Sequence, residues 1–130
     1  MQDTLPRIKG SQSEYENDTW KRSLDFMIEE NIRLKDRLSE ILTDKFDKNL
    51  LEEADSFQSR FIKQDELVGI LKDDLKKLST LIQGDNLTNE NYFLQVNRKR
   101  TAFREDMTTA ENHFSHLKSD FNLFLSENIL

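Results

Sequence analysis

Apolar residues in this chain recur in three long runs that share one spacing. Trp20, Leu24, Met27, Leu34, Leu38 and Ile41 form the first, with Asn31 in the gap after Met27. Leu50, Ala54, Phe57, Phe61, Val68, Leu71, Leu75, Leu78 and Ile82 form the second, with Gln64 in the corresponding gap. The third comprises Phe93, Val96, Phe103, Met107, Ala110, Phe114, Leu117, Phe121 and Phe124, interrupted by Arg100. Steps alternate between three and four, which places each run on one face of an α-helix. With Leu24, Ala54 and Phe93 at heptad position a, the seams occupy a and d. Asn31 and Arg100 then fill a positions, and Gln64 fills a d position.

Punctuation between the runs predicts where the helices end. The first dozen residues hold the only proline, Pro6, together with Gly10 and Ser11, and read as a flexible tail over 1–12. Ser13-Glu14-Tyr15-Glu16 matches a capping box, with Asn17, Asp18 and Thr19 as later caps. Gly84-Asp85-Asn86 signals a turn, followed by Thr88 as a cap. The break between the first two runs contains neither Gly nor Pro. The step from Ile41 to Leu50 fits no heptad continuation, and Asp44 or Asp47 can cap a new helix. A tight connection near 44–48 is therefore expected, a single helix over 18–83 being the competing reading. The expected helices cover about 13–43, 47–83 and 88–128, in one helical-bundle domain over 13–130.

Short connections make successive helices antiparallel neighbours, so the predicted fold is all-α: a long up-down-up three-helix bundle with heptad packing. Apolar residues flanking the seams widen the stripes beyond what a two-stranded zipper buries: Ile28, Ile32 and Leu42; Leu51, Leu67 and Leu81; Tyr92 and Leu125. Seven of the nine phenylalanines fall at a or d, bulky for a two-stranded seam but suited to a wider interior. Phe26, Ile62, Ile70, Leu94, Leu123 and Ile129 stay outside every seam. They suggest a further helix–helix contact, most simply a homodimer enlarging the bundle. Phe26, Ile70, Leu94 and Leu123 are the candidate interaction surface.

Three polar residues in otherwise apolar seams are the most specific feature. Folding the first helix on the second brings Asn31 within a turn of Gln64, so their amides can share a layer. Such a layer reduces stability relative to leucine but penalises shifted registers and other oligomeric states. Arg100 can bury its stem while its guanidinium reaches an edge carboxylate. Folding the third helix back about Gly84–Asn86 makes Glu66 and Asp73 the expected interhelical partners of Arg100 and Arg104.

Composition narrows the chemistry. The formal net charge is −6, which disfavours general affinity for nucleic acid or anionic lipid. The basic run Arg98-Lys99-Arg100 is better explained by interhelical pairing, because its aromatic neighbour Phe103 belongs to the core. The chain has no cysteine, so disulfides, thiolate metal sites and cysteine nucleophiles are excluded. No apolar run reaches the ~18 residues of a membrane span, and the first residues lack the apolar segment of a secretory signal. His113 and His116 lie three apart, with Asp106 and Asp120 seven residues either side of His113. At g and c positions both imidazoles are expected to be solvated rather than metal-bound. No cofactor, catalytic motif or small-molecule pocket is expected.

The pattern thus leads to a non-enzymatic, acidic, cytoplasmic scaffold or adaptor that contacts protein partners through helical faces. The alternative is a small helical chaperone that shelters an amphipathic helix of a secretion or assembly partner. If the polar positions set register, Gln64→Leu raises the melting temperature and changes the oligomer population. Unchanged stability with one unchanged mass by light scattering would contradict that role.

Overall fold

The computed structural model describes the backbone over residues 4–44, 47–82 and 90–129 and the side chains over 12–43, 47–81 and 90–128. Three α-helices account for the described chain: α1 (Thr4–Asp44), α2 (Lys48–Ile82) and α3 (Glu90–Ile129). At ~1.5 Å per residue the 41-residue α1 is roughly 60 Å long. The architecture is the three-helix bundle that the seams predict.

Helix α1 begins well before the expected position 13. Pro6 falls in its first turn, where an N–H has no intrahelical acceptor to lose, so it does not prevent helix formation. Ser13 to Glu16 consequently lie inside the helix and do not form its cap. Helices α1 and α2 are separate. Asp47 accepts a hydrogen bond from the Asn49 amide on its carboxylate (2.9 Å) and from the Leu51 amide on its carbonyl (2.9 Å), so it caps α2. Expectations for Gly84-Asp85-Asn86, Thr88 and the side chain of Ile129 lie outside the described residues.

The a and d residues of all three helices meet in one core. Leu24, Ala54, Phe61, Ala110, Leu117 and Phe121 are completely buried. Phe57, Phe61, Phe121 and Phe124 form an aromatic cluster between α2 and α3. Its edge-to-face pairs are Phe57–Phe121 (5.3 Å between centroids) and Phe61–Phe121 (5.2 Å). Such contacts need the wider interior of a three-helix section, which explains the choice of Phe at these positions. Phe57 and Phe93 remain only half-buried. Ile32, expected to widen the α1 stripe, is 48% exposed.

Helix α2 packs intimately on both neighbours, whereas α1 and α3 touch each other only thinly. Besides the ring contact of Trp20 with Phe103, α1 is joined to α3 by a ladder of polar pairs repeating every heptad: Glu16–Arg104, Ser23–Glu111 and Glu30–Lys118. Each pair couples a g residue of α1 to an e residue of α3, the geometry of parallel neighbouring strands in a coiled coil. Phe61→Ala is expected to destabilise the bundle by about 3–5 kcal/mol, through lost burial and the cavity left in the aromatic cluster. Denaturant titration of the two proteins measures that difference.

Candidate functional site

Two polar layers cross the bundle. The central one starts from Asn31, 1% exposed, whose Nδ2 donates to the Phe61 carbonyl (3.0 Å) and to Asp65 Oδ1 (2.6 Å). Asp65 also receives Lys35 Nζ at 2.5 Å. On the opposite side, Gln64 Nε2 donates to the Ala110 carbonyl (3.4 Å) and lies 3.6 Å from Met27 Sδ. His113 Nδ1 meets Gln64 Oε1 at 3.2 Å. That geometry requires the proton on Nδ1, since an amide oxygen only accepts. All three helices contribute to this layer.

Asn31 and Gln64 therefore share a level, yet their amides do not bond to each other. Each finds backbone carbonyls and edge side chains instead. Asn31 Oδ1 is the one buried side-chain oxygen or nitrogen without a partner among the described residues. An orphaned acceptor of this kind costs about 1–3 kcal/mol, so the layer is not optimised for stability. Asp65, Lys35 and His113 were not evident as its members from the seams alone. The signal for Asp65 and Lys35 is their e position beside the a residues Phe61 and Asn31, where opposite charges cross between antiparallel helices.

The second layer lies toward the start of α1. Arg100 is 5% exposed, and its guanidinium donates to Glu16 Oε1, to Asn17 Oδ1 (2.8 Å) and to the Ser13 carbonyl. Arg104 donates twice to the same Glu16 carboxylate, at 2.9 and 2.8 Å. Asn17 Nδ2 in turn donates to Ser79 of α2 (3.2 Å). Trp20 lines the cluster with its ring 5.0 Å from the Arg100 guanidinium carbon and 4.8 Å from Phe103.

Electrostatics follow from this geometry. Burial pushes Glu16 upward, but the hydrogen bonds from Arg104 and Arg100 outweigh it and hold the carboxyl below its ordinary range. Arg100 is pushed below the usual guanidinium range by burial, although Glu16 opposes the shift. The half-exposed Arg104 moves upward, because its hydrogen bond to Glu16 dominates.

The expected pairing of Arg100 and Arg104 with Glu66 and Asp73 is not the one adopted. Both arginines turn to Glu16 on α1, and Glu66 and Asp73 are exposed. Folding α3 on α2 alone neglects the third helix, which runs alongside α3 and offers the nearer carboxylate. The contact of Gln64 with His113 and Ala110 also sets α3 further along the bundle than a simple fold about Asn86 implies. In the sequence Asn17 resembles a helix cap. It lies seven residues before Leu24, however, and so continues the a positions.

The candidate surface Phe26, Ile70, Leu94 and Leu123 is exposed, at 46–59%, and two of its members border different grooves. Phe26 borders a groove of ≈ 280 Å³ between α1 and α3, near Met27 and Phe114, with Lys118 Nζ 5.9 Å from its ring. Leu123 borders a groove of ≈ 300 Å³ between α2 and α3, near Phe57 and Phe124. His113 and His116 are both exposed, as expected; His113 in addition meets Gln64, and His116 Nδ1 lies 3.3 Å from the Asn112 carbonyl. Among the described residues no three His, Asp or Glu side chains are grouped to hold a metal. No helix among them is long and apolar enough to cross a membrane.

No known protein family, curated protein sequence or solved structure matches the chain.

Glu16 has its pKa lowered on folding, so the stability it contributes is present above the unfolded carboxylate value, ~4.3. That stability is lost as pH falls through the lower folded value. Glu16→Gln is expected to lower the melting temperature at neutral pH and to converge with the parent protein only once the pH has fallen below the lowered folded value of Glu16. Melting curves across that range test both statements, and an equal deficit at every pH would contradict the assigned role.

Proposed function

We propose that the protein is a non-enzymatic interaction module, a cytoplasmic scaffold or adaptor that self-associates and contacts protein partners through helical faces. The observation that carries this reading is the residual apolar surface on an otherwise complete bundle. Tyr15, Phe26, Ile32, Ile62, Ile70, Leu94 and Leu123 are each 46–72% exposed, although the seams supply a full core without them. Distributed around a narrow rod, these residues suit lateral contact with other helices rather than the enclosure of a small molecule. The buried polar layers support the same reading. They weaken the bundle compared with leucine and favour one register, the trade made where partner choice matters.

A second reading draws on the thin contact between α1 and α3. A helical chaperone would open along that seam and admit a partner's amphipathic helix beside Phe26 and Phe114. Thermal unfolding at several protein concentrations separates the two. A self-associating scaffold is expected to melt cooperatively with a midpoint that rises with concentration. A broad, concentration-independent transition that sharpens only when an amphipathic peptide is added would favour the chaperone instead.

A further inference from the structure

The beginning of α1 is held to the bundle differently from the rest of that helix. From Trp20 onward its seam residues are all buried, and Asn31 is the one polar member. The same alternation carried toward the start of the chain meets Asn17, Ser13, Gly10 and Pro6, none of which fills a heptad core. Helix α1 nevertheless continues back to Thr4. Among the described residues 12–19 no side chain is buried, and Tyr15, the one aromatic of the stretch, is 72% exposed. Most helical stability in a protein comes from packing an apolar face, and these turns have none to pack.

What holds them down comes mainly from α3. The Arg100 guanidinium donates to the Ser13 carbonyl, to Glu16 Oε1 and to Asn17 Oδ1, and Arg104 donates to both oxygens of Glu16. From α2, Ser79 accepts a single bond from Asn17 Nδ2. One carboxylate thus serves two guanidiniums, one of them 5% exposed. Deprived of that carboxylate, Arg100 is a buried cation without a counterion, a strongly unfavourable state.

The relief open to Arg100 is water, reached outward past residues 12–19, which have no buried side chain to lose. Just beyond them Trp20 packs on Phe103 at 4.8 Å and Leu24 is completely buried. Undocking that starts at the beginning of α1 therefore stops at Trp20, where apolar packing begins.

We propose that the start of α1, up to Thr19, is a releasable strap over α3, latched by Glu16 between Arg100 and Arg104 and hinged at Trp20. Docked, the strap neutralises both arginines. Released, it leaves them uncompensated beside Phe103, while α2, α3 and the rest of α1 stay packed. Release needs no second copy, so it is independent of the self-association proposed above.

Trp20 is the only tryptophan, and its emission reports on the hinge. In a urea titration of the parent protein, that emission is expected to shift to the red before the main loss of helical circular dichroism. Coincident transitions would mean that strap and bundle unfold as one, and would overturn the proposal. Chymotrypsin cleavage after Tyr15 measures release directly, because cutting at a transiently opened site follows the population of the open form. Normalised to the rate in the unfolded chain, this cut is expected to be on the order of a hundredfold faster in Glu16→Gln, as loss of a buried charge partner implies. Phe61→Ala weakens the core without touching the cluster and is expected to leave the cleavage rate unchanged. No acceleration in Glu16→Gln, or equal acceleration in Phe61→Ala, would overturn the latch. Should Glu16→Gln fail to fold, the parent protein's urea transitions and the Phe61→Ala cleavage rate decide.

Discussion

Every helix in this protein carries an apolar stripe too wide for one neighbour to cover, and that constraint governs the rest of the structure. Helix α2 answers it directly, packing one side against α1 and the other against α3. Phenylalanine in both α2 and α3 keeps the section open enough for three helices, since aromatic rings in edge-to-face contact do not fit a two-stranded seam. The remaining junction, between α1 and α3, is joined chiefly at its edge by pairs repeating every heptad. The bundle is therefore unequal around its circumference: α2 packs closely on both neighbours, and on the third side edge hydrogen bonds and ion pairs supplement a few apolar contacts such as Trp20 with Phe103.

The polar layers take their meaning from that inequality. Arg100 enters the core from α3 and is neutralised by Glu16 of α1, the helix to which α3 is otherwise weakly attached. Asn17 continues the connection to Ser79 of α2, so three helices are bound at one level. A buried guanidinium without its carboxylate is strongly unfavourable, and any slip of α1 along α3 would separate the two. The central layer acts similarly between α1 and α2 through Asn31, Asp65 and Lys35. Its orphaned Asn31 Oδ1 marks a position where packing yields some stability. Both layers are thus better understood as constraints on alignment than as sources of stability, and neither assembles the grouped carboxylates and imidazoles of a metal site.

Much of the architecture was legible beforehand because a heptad is a local property. Burial of nearly every a and d residue follows from spacing alone; spacing also favours a break between α1 and α2, while the structure selects Asp47 of the two caps, Asp44 and Asp47, that the sequence offers. Pro6 and Gly10 suggest a tail, yet α1 starts at Thr4, because proline in a first turn costs no hydrogen bond. The candidate interaction residues are apolar side chains that the seams leave over. Nothing in their spacing could reveal that Phe26 and Leu123 border different grooves.

By itself, then, the sequence determined the helical class, the three seams and the positions at which polar groups had to be buried. These depend on periodicity and hydrophobicity within one helix. The tertiary structure decided the partners: Glu16 rather than Glu66 or Asp73 for the arginines, and backbone carbonyls and Asp65 rather than each other for the Asn31 and Gln64 amides. It also decided which outer residues border a groove, Phe26 between α1 and α3 and Leu123 between α2 and α3. Such choices depend on the third helix and on the stagger between helices, which is set by packing across chain segments dozens of residues apart.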